Sequence, residues 1–179
     1  VLGSLVLILG TASLSLLLSN VLSFFFKENS QALNDQYLNL LDGVSFPAAL
    51  LLIALTPAVC EELLFRGYMF TAFRNRMSLP KAIFFVSILF AISHMSLIKI
   101  LPTALLGAAL AYAVYCSDSI FTSSLMHFLN NGFSVFILYY GDKIPLLKEE
   151  QTPFIIGMVV FAVVGILLGM KLLKRKDSE

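Results

Sequence analysis

The sequence predicts an all-α polytopic membrane protein, a single helical domain over residues 1–179 with about six transmembrane helices. Composition is the first reason, because 59% of the residues are hydrophobic and 13% are charged. Soluble domains have about 45 to 50% apolar and about 25% charged residues. The second reason is that apolar runs of the length a bilayer requires, about 20 residues, recur between short polar segments. The mean hydropathy of +0.90 agrees with both observations.

The first apolar run covers about residues 1–26, and the polar segment KENSQALNDQYLNLLDG follows it. The chain begins at Val1 and shows neither the basic stretch nor the small-residue cleavage site of a signal peptide. We therefore expect the sequence to be a fragment whose upstream part carries one or more further helices.

The second run contains the stretch AVCEELLFRGY, in which two glutamates and an arginine interrupt apolar sequence. The segment GYMFTAF that follows Arg66 is apolar again, so the helix is predicted to extend over about residues 44–76. A shorter helix that stopped before the acidic pair would leave this second apolar segment without a role. Glu61, Glu62 and Arg66 are thus expected inside the membrane.

Four further spans are predicted, and Pro80 suits the first turn of the earliest of them. Two of these spans carry small residues four positions apart, a spacing that favours close helix packing. Those small residues are Gly107 with Ala111, and Gly165 with Gly169. The predicted spans are about residues 80–98, a short span after Pro102, about 119–140 and about 153–173.

The distribution of basic residues predicts the orientation of these spans. With six spans and a cytoplasmic C-terminus, seven basic residues lie inside and four outside, as the positive-inside rule favours. The brevity of the chain favours a bacterial cell membrane. The formal net charge of +1 argues against a nucleic-acid partner. The outer residues are Lys27, Lys99, Lys143 and Lys148, and the inner ones are Arg74, Arg76, Lys81 and the four within 171–176.

A few polar side chains remain inside the predicted spans, where an ionisable group costs about 2.5 to 3.5 kcal/mol. Counting from a turn at residues 77–78, Glu61 and His94 are each 16 residues away, so both lie about 24 Å from it. His127 and Asn131 lie about 12 and 18 Å into the fifth span. The set is therefore expected near mid-membrane: Glu61, Glu62, Arg66, His94, His127, Asn130 and Asn131.

Spacing along the helices predicts which of these side chains share a face. Glu62 and Arg66 are four residues apart and can form an ion pair, which leaves Glu61, rotated by about 100°, free to face a cavity. His127 and Asn131 also share a face, as do Phe90 and His94, with Phe90 expected to pack. Asn130 is expected to face another side of its helix, where it can form a hydrogen bond between helices. Asp118 is expected to mark a turn and to cap the fifth predicted helix.

Such a set suits hydrolysis of an amide bond by an activated water. The carboxylate acts as general base with a histidine, and an amide or imidazole N–H stabilises the oxyanion. Glu61, His94 and His127 also make a possible zinc set, although the chain lacks HExxH. Two other classes stay open: a proton-coupled transporter that uses the buried Glu and His side chains, and a non-catalytic immunity or scaffold protein.

Three motifs in order, EELLFR, FAISH and HFLNN, make the chain resemble the CPBP family of intramembrane proteases. That family includes the type II CAAX prenyl endopeptidases and the Abi proteins of bacteriocin processing or immunity. The resemblance covers about residues 44–140, and members carry about eight spans of bilayer length.

The resemblance implies a role for each motif residue. Glu61 and His94 would activate the water, while His127 and Asn131 would bind the oxyanion or help hold a metal. Glu62 and Arg66 would be supporting residues. The expected function is an endopeptidase in the lipid bilayer that cuts a peptide, a lipidated peptide or a membrane peptide.

Overall fold

The structure is a computed structural model that describes residues 2–144 and 152–173 of the chain. The described residues form seven helices and no strand, which confirms the predicted all-α class. One turn of 3-10 helix, Gly141–Lys143, follows the sixth helix. The helices are α1 (Leu2–Phe25), α2 (Lys27–Leu41), α3 (Phe46–Arg74), α4 (Leu79–Ser93), α5 (Leu97–Ser117), α6 (Ile120–Tyr140) and α7 (Thr152–Leu173).

Three of the described helices, α1, α3 and α5, are long and apolar enough to cross a membrane. Helix α4 has 15 residues, which rise only about 22 Å against a hydrocarbon core of about 30 Å. Helix α6 has 21 residues, but polar side chains such as His127 and Asn131 lie along it. The apolar part of α7, Gly157–Leu173, is also short. A helical membrane protein is therefore confirmed, and the number of six spans stays a prediction.

The boundary between the predicted third and fourth spans is wrong. Helix α4 ends at Ser93, before the predicted end at residue 98, and α5 begins at Leu97 with Pro102 inside it. A tightened last turn ends α4, because His94 N bonds to Ala91 O at 3.2 Å and Met95 N bonds to Ile92 O at 3.0 Å. Met95 then adopts a left-handed backbone with a φ of 48°, which redirects the chain into α5.

The turn between α5 and α6 contains Asp118, as predicted, but this residue does not begin the next helix. Asp118 has a left-handed φ of 52° and ends α5, with its N–H bonded to Val114 O at 2.8 Å. Ser119 is the residue that precedes α6. A short polar side chain tolerates the left-handed conformation better than most residues do, which explains an aspartate at the end of a helix.

The polar segment after α1 forms a helix of its own, α2. Its Tyr37 hydroxyl accepts a hydrogen bond from Nζ of Lys99 in the first turn of α5. The same ammonium lies 4.5 Å from the centroid of the Tyr37 ring. These contacts hold α2 across the end of the bundle at which α5 begins.

Helix α3 is continuous over 29 residues, as the apolar sequence on both sides of the acidic pair predicts. Two stretches of it, Leu50–Leu55 and Leu63–Phe70, are wound as π-helix and flank a central α-helical part. Pro57 has no N–H to offer Ile53 O, the carbonyl four residues before it, so regular α-helical bonding fails there. Local π-helix of this kind is frequent at functional sites.

Glycines let α1 and α7 approach closely. A Cβ added at Gly169 would lie 2.6 Å from Leu7 Cα, and one at Gly10 would lie 2.6 Å from Ile166 N. This confirms the predicted small-residue face of the last helix. Gly3 lies against Leu173, so the start of α1 and the end of α7 are on the same side of the bundle. The cytoplasmic assignment of that side stays a prediction.

Candidate active site

The predicted ion pair between Glu62 and Arg66 is present and lies in the core of the bundle. Arg66 Nη1 donates to Glu62 Oε1 at 2.7 Å, and both side chains are fully buried. Arg66 Nη2 donates to Gly107 O of α5 at 2.9 Å. The guanidinium carbon also lies 4.4 Å from the centroid of the Phe90 ring, a cation–π contact. One arginine on α3 therefore joins α4 and α5.

Glu62 has a second partner that the spacing rules do not predict. His127 Nδ1 of α6 lies 2.9 Å from the same Oε1 atom. A carboxylate only accepts hydrogen bonds, so Nδ1 carries the proton and a neutral ring leaves Nε2 as the acceptor. Helical spacing identifies pairs within one helix only, and the packing of α6 against α3 was needed to find this contact.

Glu61 lies on the face of α3 next to that of Glu62 and, unlike Glu62, is not fully buried. Its side chain is 32% exposed, but its Oε2 atom is buried and has no hydrogen-bond partner among the described residues. That oxygen is 3.9 Å from His127 Nε2. Among the described residues, this is the histidine that Glu61 approaches within 4 Å, whereas the resemblance pairs Glu61 with His94.

His94 follows α4 directly, so it does not lie within a helix as expected, and its depth in the membrane stays a prediction. Its ring nitrogen Nδ1 donates to Phe90 O at 2.8 Å, which leaves the Nε2 lone pair of a neutral ring free. The Phe90 ring packs edge-on against His94, with centroids 4.9 Å apart, and against His127 at 5.6 Å. Phe90 is fully buried, as its predicted packing role requires, and it links the two histidines.

Asn131 connects α6 to the irregular part of α3. Its Nδ2 donates to Ile53 O at 3.2 Å, the carbonyl that Pro57 cannot serve. Asn130 does not face another side as expected: its Nδ2 donates to Asn131 Oδ1 at 3.2 Å. The two amides are neighbours in sequence and diverge by about 100° on the helix, but the open space beside α6 lets both side chains turn toward it.

That open space is a cavity of about 320 Å³, at the small end of the range of about 300 to 1,000 Å³ for ligand sites. It lies between α1, α2, α5 and α6 and reaches Ile53 of α3. Among its polar lining residues are His94, His127, Asn130, Asn131 and Lys99.

The family comparison matches this same part of the chain. The model of the Rce1-like type II CAAX prenyl endopeptidases matches residues 43–133, which are 91 of the 179 residues. The chain belongs to this Rce1-like family. No curated protein and no solved structure gives a significant match.

Membership in the Rce1-like family makes the chain a member of a protease family that acts in membranes. The matched residues run from just before α3 to the middle of α6 and include every motif residue, from Glu61 to Asn131. Helices α1, α2 and α7 lie outside the matched residues. The predicted resemblance is thus confirmed at the level of the family.

The possible zinc set of the Rce1-like chain does not assemble. Among the described residues, no three His, Cys, Asp or Glu side chains converge as a metal ion would require. Glu61 and His127 approach each other within 4 Å, but His94 has its Nδ1 bonded to Phe90 O and its ring against Phe90. Zinc needs its ligands within about 2.0 to 2.3 Å of one point, so these three residues do not fit a metal in this arrangement.

Proposed function

We propose that the chain is an intramembrane endopeptidase in which Glu61 activates a water molecule for attack on a peptide bond. The supporting observation is the buried Oε2 atom of Glu61, which lies 3.9 Å from His127 Nε2 and, within residues 2–144 and 152–173, has no hydrogen-bond partner. Leaving a buried acceptor unpaired costs about 1 to 3 kcal/mol. In the described part of the chain Glu62 Oε2 and Arg66 Nε are unpaired too, but of the three atoms only Glu61 Oε2 belongs to a partly exposed side chain, so a water or substrate can reach it.

The distance of 3.9 Å between Glu61 Oε2 and His127 Nε2 suits a water molecule between them. A direct hydrogen bond would require about 2.7 to 3.2 Å, and a polar pair farther apart than about 3.5 Å is commonly bridged by water. A water held there can donate one hydrogen to the carboxylate and the other to His127 Nε2. Its oxygen lone pair is then directed away from both, toward an incoming carbonyl carbon.

The Arg66–Glu62–His127 chain holds the histidine in this orientation. Arg66 fixes Glu62, and Glu62 accepts the Nδ1 proton, so Nε2 is the atom presented to Glu61. Because the arginine is itself bonded to Gly107 O, the chain is anchored on a third helix. Glu62 and Arg66 therefore act as positioning residues.

Asn131 is placed to donate a hydrogen bond to the oxyanion. Its amide nitrogen has two hydrogens, and the bond to Ile53 O uses one of them. The second can donate to the negative oxygen of the tetrahedral intermediate, and the fixed first bond holds this donor in place before the substrate arrives. By the family resemblance His94 would help Glu61 to activate the water, but in this arrangement His127 is the histidine within 4 Å of Glu61. His94 lines the same cavity as Asn131, with its Nδ1 bonded to Phe90 O.

The proton balance of the proposed reaction closes without a cofactor. Water oxygen bonds to the carbonyl carbon as its proton moves to Glu61, and the negative charge collects on the carbonyl oxygen beside Asn131. The C–N bond then breaks as that oxygen reforms its double bond. Glu61 returns the proton to the leaving amine, which restores the carboxylate.

The experiment is a cleavage assay in membranes with Glu61→Gln, and Glu28→Gln on the exposed face of α2 as the matched control. An S-farnesyl-cysteine peptide is the first probe, because the family is named for prenyl endopeptidases. We expect the rate to fall at least about 100-fold, the scale of general-base catalysis, with an unchanged protein amount. Cleavage by Glu61→Gln at the native rate would refute the mechanism.

A chelator arm tests the metal alternative in the same membranes. Because the ligand set does not converge, we expect the rate to be unchanged after chelation. A loss that zinc restores would favour a metalloprotease. If no peptide is cut and ion-dependent flux appears in vesicles, the transporter alternative would replace the protease.

A further inference from the structure

Among the described residues that line the cavity, Lys99 is the single lysine or arginine. Its side chain is half-buried in the first turn of α5. Across the described residues, no carboxylate forms an ion pair with it. Within the described part of the chain, the cavity therefore presents one cation without a paired carboxylate, and His127 and Asn131 of the proposed protease site line the same cavity.

The known contacts leave part of the Lys99 ammonium available. The group has three hydrogens; one is donated to the Tyr37 hydroxyl, and the Tyr37 ring lies 4.5 Å from Nζ. The other polar side chains lining the cavity nearby are neutral, and they include Asn34, Asn130 and Ser134. A partly desolvated cation in such surroundings favours an incoming anion.

The distance along α5 matches a peptide that runs from Lys99 to the reacting groups. Gly107 follows Lys99 by eight residues, a rise of about 12 Å. A Cβ at Gly107 would lie 3.2 Å from Phe90 Cδ1, so Gly107 is level with the ring against which His127 packs. An extended peptide covers about 12 Å with about three to four residues.

We propose that Lys99 binds a carboxylate of the peptide substrate and so determines which bond lies beside Glu61 and His127. This inference rests on the proposed protease function. The carboxylate is either the terminal one or that of an acidic side chain about three to four residues from the cut bond. Lys99 is thus a specificity residue, and the reacting groups do not depend on it.

The test compares three S-farnesyl-cysteine peptides of otherwise identical sequence. The first ends in a free carboxylate, the second in a carboxamide, and the third in a carboxamide preceded by aspartate. Rates are measured with the wild type, Lys99→Gln, Lys99→Arg and Tyr37→Phe. The ratio of kcat/KM between two peptides is read within each variant, so it does not depend on how much protein folds.

We expect the wild type to prefer a carboxylate peptide by about tenfold or more in kcat/KM, chiefly through KM. Lys99→Gln should bring this ratio close to one, while Lys99→Arg and Tyr37→Phe keep it. A preference for the first peptide identifies the terminal carboxylate, and a preference for the third identifies the side chain.

Two results would overturn the inference while leaving the protease function intact. One is equal cleavage of all three peptides by the wild type. The other is a Lys99→Gln variant that slows every peptide alike and keeps the ratio, which would mean that Lys99 only holds α2. A wild type that cuts none of the peptides, or any other probe, would instead refute the protease function and this inference with it.

Discussion

The α1–α7 contact and the group around Arg66 are both buried, but different forces hold them together. Between α1 and α7, Gly10 and Gly165 bring the two backbones into direct contact. Around Arg66, four helices meet through a fully buried ion pair, a histidine, a backbone carbonyl and a cation–π contact with Phe90. The first contact depends on shape, and the second on the pairing of buried charges with hydrogen-bond partners.

The two contacts should therefore differ in the substitutions that they tolerate. In a contact based on shape, any atom added at a glycine must displace the facing backbone. In a contact based on charge, removal of one partner leaves the other buried and unpaired. Three substitutions test the comparison, beginning with the largest expected effect.

Arg66→Ala should cause the largest loss of stability, about 3 to 5 kcal/mol, because it leaves Glu62 charged and buried. It also leaves Gly107 O without the donor that Arg66 provides. The measurement is thermal unfolding in detergent together with yield from membranes. Arg76→Ala, an exposed basic residue near the end of α3, is the control. Equal stability of the two variants would remove the structural role of Arg66.

Gly169→Ala should cost about 1 to 3 kcal/mol through overpacking, since its new Cβ would lie 2.6 Å from Leu7 Cα. Gly157→Ala on the same helix is the control, because a Cβ there meets nothing within 4 Å. Thermal unfolding of both variants measures the difference. If Gly169→Ala were as stable as Gly157→Ala, α1 and α7 would not pack as closely as described.

Asn131→Ala should have the smallest effect on stability, about 1 kcal/mol for one hydrogen bond, from the lost contact with Ile53 O. Its effect on cleavage should be larger, about 100-fold for an oxyanion donor. Asn130→Ala, which keeps the bond to Ile53 O, should cut at close to the native rate. The same peptide assay compares the two variants. If both lost the same cleavage rate, the oxyanion contact could not be assigned to Asn131.

Much of the fold follows from patterns that act along one helix. The length and apolarity of the runs predict helices, and α3 continues through the acidic pair because the sequence beyond Arg66 is apolar again. The four-residue spacing predicts the Glu62–Arg66 pair, and the glycines predict close packing. These features depend on neighbours in sequence, which the sequence displays directly.

The errors concern turns and contacts between helices. The predicted end of the third span at residue 98 fails because a tightened turn stops α4 at Ser93, although no glycine or proline marks the place. Likewise, Asn130 turns toward Asn131 because the cavity beside α6 leaves room for both amides. Local preferences are weak at such points, and the packing of neighbouring helices decides between alternatives of similar energy.

Apolarity and motif spacing are properties of the chain alone, and they predict the class of protein, the family and a set of candidate site residues. The packing of the helices supplies the partners of those residues: His127 bonds Glu62, Glu61 Oε2 lies 3.9 Å from His127 Nε2, and Lys99 lines the cavity that His127 also lines. The physical reason is that these contacts join helices far apart in sequence. Their distances depend on how the helices pack.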